Sequence, residues 1–374
     1  MKPRSFQSRH VRRRRDDARD LMKHKISIAL CTYNGAKYLS SQLESYLAQT
    51  YPPGEVVVCD DCSQDETVSM LDEFARRAPF PVRILVNEQN IGSTKNFEKA
   101  ISRCSGDIIF LSDQDDVWAP NKIERVVNEF DNDCEVGMVF SDAELVEETL
   151  QPLGSNLFDT FERPDVWRRG GIIKQEDLFS RLLKGNIVAG TTLAFRAKYN
   201  KAIIPIPTDV PQMIHDGWIA IVLSVTAKSV FLNEPLVKYR QHPEQQIGAI
   251  PRRHARPAFK PTRKMLVNSS RINLMESIEG THKNRMQGME LLKSYMTPRI
   301  DAPERIMNVV NEEKDYHQEC ARHFHLRKSL LSYKHKMRLW PIIKELLSGR
   351  YHRCSNGIRS AAGDFMAFTE FSWK

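Results

Sequence analysis

From Ile26 onward the chain alternates short apolar runs with longer segments whose apolar residues recur at helical spacing. Ile26–Thr32 is a run of strand length, closed by the turn signal Asn34-Gly35. Residues 37–48 carry Leu39, Leu43, Tyr46 and Leu47 on one helical stripe, and Tyr51-Pro52-Pro53-Gly54 ends it. Residues 56–59 predict a second strand, and Thr67–Arg77 a second helix that turns Val68, Leu71 and Phe74 inward. A third strand at 81–87, a third helix at 95–103, a fourth strand at 107–112, a helix around 123–130 and a fifth strand at 137–142 continue the series. Such alternation predicts an α/β domain, a mostly parallel sheet with helices on both faces. Ligands bind such sheets beyond the carboxyl ends of the strands. Thr32 and Asn34 follow the first strand, Asp60 and Asp61 the second, and Asp113, Asp115 and Asp116 the fourth, so these polar residues share one edge.

Beyond about residue 150 the pattern weakens. A strand at 190–195, a helix at His215–Thr226 and short strands at 230–231 and 236–239 are still legible. Prolines and arginines at 251–261 predict a linker, and 262–350 is helical in character and basic. The expected organisation is a flexible basic arm at 1–24, an α/β domain at 25–250, and a linker with a helical region at 251–374.

Charge sharpens this division. The net charge of +8 splits into +7 over residues 1–25, −11 over 26–250 and +12 over 251–374. An acidic centre suits a metal ion, and basic ends suit phosphate, whether lipid headgroups or nucleic acid. No stretch approaches the ~20 apolar residues that cross a bilayer, and no apolar run follows the charged N-terminus. The expectation is a cytoplasmic protein, with peripheral attachment to the inner membrane face open. Seven scattered cysteines predict reduced thiols, and the Cys59-x-x-Cys62 pair lacks the partners of a zinc site.

The run Ser112-Asp113-Gln114-Asp115-Asp116 supplies the oxygen ligands that Mg²⁺ and Mn²⁺ prefer. A solvated acidic loop or a helix cap is the plainer account of the same residues. Asp60-Asp61 could accept from a ribose hydroxyl or a base N–H, or simply organise a turn.

Taken in order, Ile28–Gly35, Gln49-Thr50-Tyr51, the segment 57–67, Asn87–Gly92 and 106–116 resemble the motifs of the family 2 glycosyltransferases. His215-Asp216-Gly217-Trp218 and Tyr239-Arg240-Gln241-His242 resemble the later signatures of a rhamnosyltransferase-like branch, so the likeness spans about residues 26–245. One departure is Cys62, where the family usually has Gly; a positive φ there would strain the cysteine modestly.

The resemblance implies a GT-A fold and inverting transfer of a sugar from a nucleotide-diphosphate sugar, dTDP-rhamnose or a UDP-sugar, to a saccharide or lipid-linked acceptor. It implies Asp216 as catalytic base, and Thr32, Asn34, Asp60 and Asp113 around the nucleoside and ribose. Asp115 would hold a divalent metal, Mn²⁺ or Mg²⁺, with His242 and Arg240 near the metal or diphosphate. Trp218 could stack on an acceptor sugar, although its strongly apolar helix favours the core.

A nucleotidyltransferase would show a Gly-rich, Arg-bearing loop after the first strand, and 31–38 has one Gly and no Arg. A non-catalytic nucleic-acid or phosphate-binding protein would account for the basic ends but not for the acidic centre. No nucleic-acid partner is expected. An anionic membrane surface remains a candidate partner for the basic ends.

Overall fold

β1 (Ile26–Thr32), β2 (Glu55–Asp60) and β4 (Ile108–Ser112) are buried at every position, which is why they read as unbroken apolar runs rather than alternating ones. The computed structural model describes residues 24–161, 169–245, 268–300, 304–331 and 335–366. The basic arm as far as residue 23 and the 251–261 linker lie outside the described residues.

Helices α1 (Ala36–Leu47), α2 (Thr67–Arg77) and α3 (Ser93–Arg103) connect β1, β2, the strand β3 (Val82–Val86) and β4. Each buries one stripe: Leu39, Leu43 and Tyr46 from α1, Leu71 and Phe74 from α2, Phe97 and Ala100 from α3. Then follow β5 (Val117–Trp118), α4 (Lys122–Asn132), β6 (Val136–Val146), β7 (Pro152–Asn156), β8 (Gly171–Ile173), α5 (Gln175–Lys184), β9 (Leu193–Arg196), α6 (His215–Thr226) and β10 (Lys228–Arg240). The sheet runs β3-β2-β1-β4-β9-β6-β10-β5, with β7 paired to β6 and β8 to β10.

The parallel pairing expected from strand–helix alternation holds across β3-β2-β1-β4. Beyond β4 the sheet is mixed. The four-residue β9 runs antiparallel to both β4 and β6, while β10 lies parallel to β6. A 3₁₀ turn at Gly190–Thr192 leads straight into β9, which starts at the ligand edge and runs away from it. The two short strands expected at 230–231 and 236–239 are one strand, β10, whose register against β6 shifts on either side of Pro235. Proline has no N–H for the ladder, and that interruption splits the sequence signal.

α6 is buried from His215 through Val225 and packs on α3, α5 and the sheet, as an all-round apolar helix must. The register Leu30↔Ser112 in the β1–β4 pair sets Thr32 beside the segment that starts at Asp113.

The chain divides into two units, 1–208 with 214–252, and 209–213 with 253–374. The second is helical: α7 (Asn268–Met296), α8 (Glu304–Leu330), α9 (His335–Leu347), α10 (Arg350–Cys354) and α11 (Ile358–Met366). Its core gathers Leu330, Ile342, Tyr351 and Ala361, beside a buried Arg327–Asp364 ion pair. Among the described residues no helix is long and apolar enough to cross a membrane.

Candidate active site

β1 ends at Thr32, and the chain turns at Asn34 with φ +46° before α1 begins. Asparagine tolerates this left-handed backbone better than most side chains. Its backbone N–H donates to Ser63 Oγ (2.8 Å), and its side-chain oxygen accepts from Gln64 N (2.8 Å), tying the β1 loop to the β2 loop. Gly35 leaves room for the Gln114 amide: a Cβ there would lie 2.1 Å from Gln114 Oε1. That amide grips Tyr33 at both ends, its oxygen accepting from Tyr33 N (2.8 Å) and its nitrogen donating to Tyr33 O (3.0 Å).

These loops, the 186–190 segment and the start of α6 enclose a cleft of about 1030 Å³. Thr32, Asn34, Asp113, Asp115, Asp216, Arg240 and His242 all line it. Two expected residues do not. Asp60 is fully buried, accepting from Thr32 Oγ1 (2.7 Å), Ser63 N (2.8 Å) and Ser63 Oγ (2.6 Å), so it braces the wall behind the cleft. Its neighbour Asp61 does line the cleft, and its carboxylate accepts from Asn87 Nδ2, Ile91 N and Gly92 N. Trp218 is a core residue and does not reach an acceptor. Its ring is 0% exposed and its Nε1–H donates to Ile203 O (2.8 Å).

Arg240 lines the cleft but spends its guanidinium on protein: Nε donates to Asp115 O (2.6 Å), one terminal nitrogen to Ser41 Oγ (3.0 Å) and the other to Glu148 O. It fixes the backbone that carries Asp115, while its own N–H donates to Asp116 Oδ1 (3.1 Å). His242 Nε2 lies 2.8 Å from Asp115 Oδ2, and its ring leans on Tyr38 at 4.4 Å.

The floor is strongly acidic. Loss of solvation in the cleft floor, then the charges of Asp115 and Asp216, push the Asp113 carboxyl well above the usual range. Burial, then Asp115 and Asp113, does the same to Asp116. Beneath them Lys122 is fully buried, its ammonium over the Trp118 ring (3.5 Å to the centroid) and donating to Thr191 O. Asp113 and Asp116 pull its pKa up, yet burial outweighs them and lowers it. Nothing in the sequence marked Lys122, which reads as one more solvated charge at a helix start.

Asp216 sits in the first turn of α6. Its carboxylate accepts from Gly190 N (3.1 Å) and Gly217 N (2.6 Å), and burial raises its pKa to about 6 despite these bonds. Beside it His215 stacks on Phe97 at 3.9 Å, and among the described residues neither ring nitrogen has a hydrogen-bond partner. Burial lowers its pKa to about 3, so the ring is neutral.

Cys62 has φ +68°, the left-handed conformation that its replacement of the usual glycine foreshadowed. All seven cysteines are free, and Cys59 is sealed within β2.

Residues 27–204 match the family model described as Glycosyl transferase family 2. Over those residues the first unit is similar to the family 2 glycosyltransferases. An uncharacterized glycosyltransferase of Nostoc sp. is 28% identical over 222 residues, which is 58% of this chain and 65% of that protein. Among solved structures, residues 1–349 of S. aureus TarS in complex with UDP-GlcNAc superpose with a TM-score of 0.54 at 14% identity, over 90% of each chain. The mannosyltransferase PcManGT of Pyrobaculum calidifontis, in complex with GDP-Man and Mn²⁺, gives a TM-score of 0.50 at 17% identity, over 93% of this chain and 86% of that one. The glycosyltransferase domain thus has the GT-A fold that its motifs implied.

Proposed function

We propose that this glycosyltransferase moves a sugar, with inversion, from a nucleotide-diphosphate sugar to a saccharide or lipid-linked acceptor. One observation carries the reading: a buried carboxylate of raised pKa, Asp216, shares a single cleft with the acidic run Asp113–Asp115 and with His242. Asp216 takes the proton of the acceptor hydroxyl as that oxygen attacks the anomeric carbon, and the bond from that carbon to the diphosphate breaks on the opposite face. Its two backbone N–H bonds aim the carboxylate. The cleft volume of about 1030 Å³ accommodates a ligand of this size.

The residues present fit a divalent cation. Asp115 and His242 offer an oxygen and an imidazole nitrogen side by side, and the crowded negative charge around Asp113 is what a cation relieves. Among the described residues no group of three or more His, Cys, Asp or Glu side chains converges on one point. When bound, Mn²⁺ or Mg²⁺ would neutralise charge on the departing diphosphate. Thr32, Asn34 and Asp113 are the candidates for the nucleoside and ribose.

For the donor, the His215–Trp218 and Tyr239–His242 motifs favour a dTDP-sugar such as dTDP-rhamnose. TarS, which binds UDP-GlcNAc, supports a UDP-sugar. Calorimetry with a panel of nucleoside diphosphates, with and without Mn²⁺, tests the reading on the full chain and on Asp115→Ala. Metal-dependent binding of one diphosphate, lost in the variant, is expected. Failure of every diphosphate to bind folded protein would sink it.

A further inference from the structure

In the helical unit, α9 is built inside out. Its inward face buries Arg338 (0% exposed), Ile342 (4%) and Glu345 (2%). Its outward face, nearly half a turn away, exposes Met337 (63%), Trp340 (71%) and Leu347 (82%). Positions 337, 340, 344 and 347 follow the helical repeat, so Lys344 shares this outward stripe. The inversion is anchored. Arg338 donates to Leu331 O (3.1 Å) and Asp364 O (3.4 Å), and Glu345 accepts from Arg350 at two points (2.7 Å each) and pairs with His323 (2.9 Å). A helix that satisfies its charges inside and points tryptophan and leucine outward is poorly matched to water.

The exposed charge carried by the stretch 335–366 has one sign. The two acidic residues between 335 and 366, Glu345 and Asp364, are both buried and paired inside the unit. Lys344, Arg353 and Arg359 are exposed on the same stretch, although Arg353 is shared with Glu319.

We infer that α9 docks this unit on an anionic lipid surface. Trp340, Met337 and Leu347 enter the headgroup boundary, and Lys344 and its basic neighbours meet lipid phosphate. Interfacial helices combine these ingredients: tryptophan and leucine on one face, basic side chains beside them, and no capacity to span the bilayer. The inference is independent of the transfer reaction, since it uses no residue of the cleft.

Vesicle co-sedimentation of the full chain tests it, comparing pure phosphatidylcholine with mixtures of phosphatidylcholine and phosphatidylglycerol. Binding to the anionic vesicles is expected, with about a tenfold or greater loss for Trp340→Ser with Leu347→Ser and a smaller loss for Lys344→Glu. All three positions are exposed, and circular dichroism confirms that the variants fold. Undiminished binding by the double variant would place the membrane contact elsewhere on the chain and overturn the inference. So would equal binding to neutral vesicles. A concentration-dependent dimer that the double variant abolishes, with no vesicle binding, would make the stripe a contact between copies instead.

Discussion

Asp115 and His242, 127 residues apart in sequence, meet at 2.8 Å in the cleft because Arg240 spans the same gap, its Nε–H donating to Asp115 O. The strand end that delivers His242 therefore also holds the acidic loop in place. If this pair binds the cation, Asp115→Asn and His242→Ala should each weaken nucleoside diphosphate affinity in Mn²⁺ by about tenfold or more, in line with the loss of a metal ligand. Affinity measured in chelator should scarcely change. Calorimetry in the two buffers separates the outcomes, and equal losses in both would argue for a purely structural pair.

Asp216 predicts an acid limb in the rate profile. Its pKa of about 6 in the free protein requires kcat/KM to fall as pH drops through that value. Stability carries the opposite sign. The folded pKa lies above the unfolded one, so the folded state holds the proton more tightly. The stabilisation is complete below about pH 4 and is lost as pH rises through about 6. Ionised Asp216 thus costs the fold roughly 3 kcal/mol at neutral pH, set by the rise from 3.8 to about 6. Asp216→Asn should cut turnover by about 10²–10⁴-fold. Relative to wild type, it should become more stable in urea at pH 8 than at pH 4.

Among the described residues, His215 has no hydrogen-bond partner for either ring nitrogen, although its side chain is 4% exposed and next to the base. Leaving buried polar atoms unpaired costs about 1–3 kcal/mol, which a bound sugar hydroxyl would offset. His215→Phe keeps the stack on Phe97 and removes the unpaired atoms, so the free protein should gain stability on the order of 1 kcal/mol. Its kcat/KM should fall by about tenfold. Thermal unfolding paired with initial rates checks both halves. A stabilised variant of undiminished activity would show that the ring only packs.

Much of this molecule was legible in its sequence. Thr67–Arg77 is legible because its apolar residues recur at helical spacing, and His215–Thr226 because it is an apolar run too long for a strand. β5 with two residues, and β7 with Pro152 and Gly154 and little burial, carry no periodic signal. Asp60 and Asp61 share a sequence signature, and only the fold decides which of them faces the cleft. Lys122 is not legible in the sequence, because a buried cation is specified by what surrounds it, here Trp118, Thr191 and two carboxylates, and not by its neighbours in the chain.

Gly35 and Gln114 offer a test of how the cleft's loops are held together. A methyl group at Gly35 would lie 2.1 Å from Gln114 Oε1, and no backbone atom is among its three nearest contacts. Gly35→Ala should therefore displace one flexible side chain and leave β1 intact. The displacement removes both hydrogen bonds between Gln114 and Tyr33, a loss of about 1–3 kcal/mol. It should also loosen the wall that carries Asn34, lowering nucleotide affinity. Gln114→Ala removes the same bonds and at the same time clears the space the methyl group needs. In that background Gly35→Ala should cost little more, so the two effects should fall short of adding by about 1 kcal/mol or more in a double-mutant cycle on unfolding free energy. Strict additivity would mean that the glycine is needed for another reason, and that the grip of Gln114 on Tyr33 does not order the cleft.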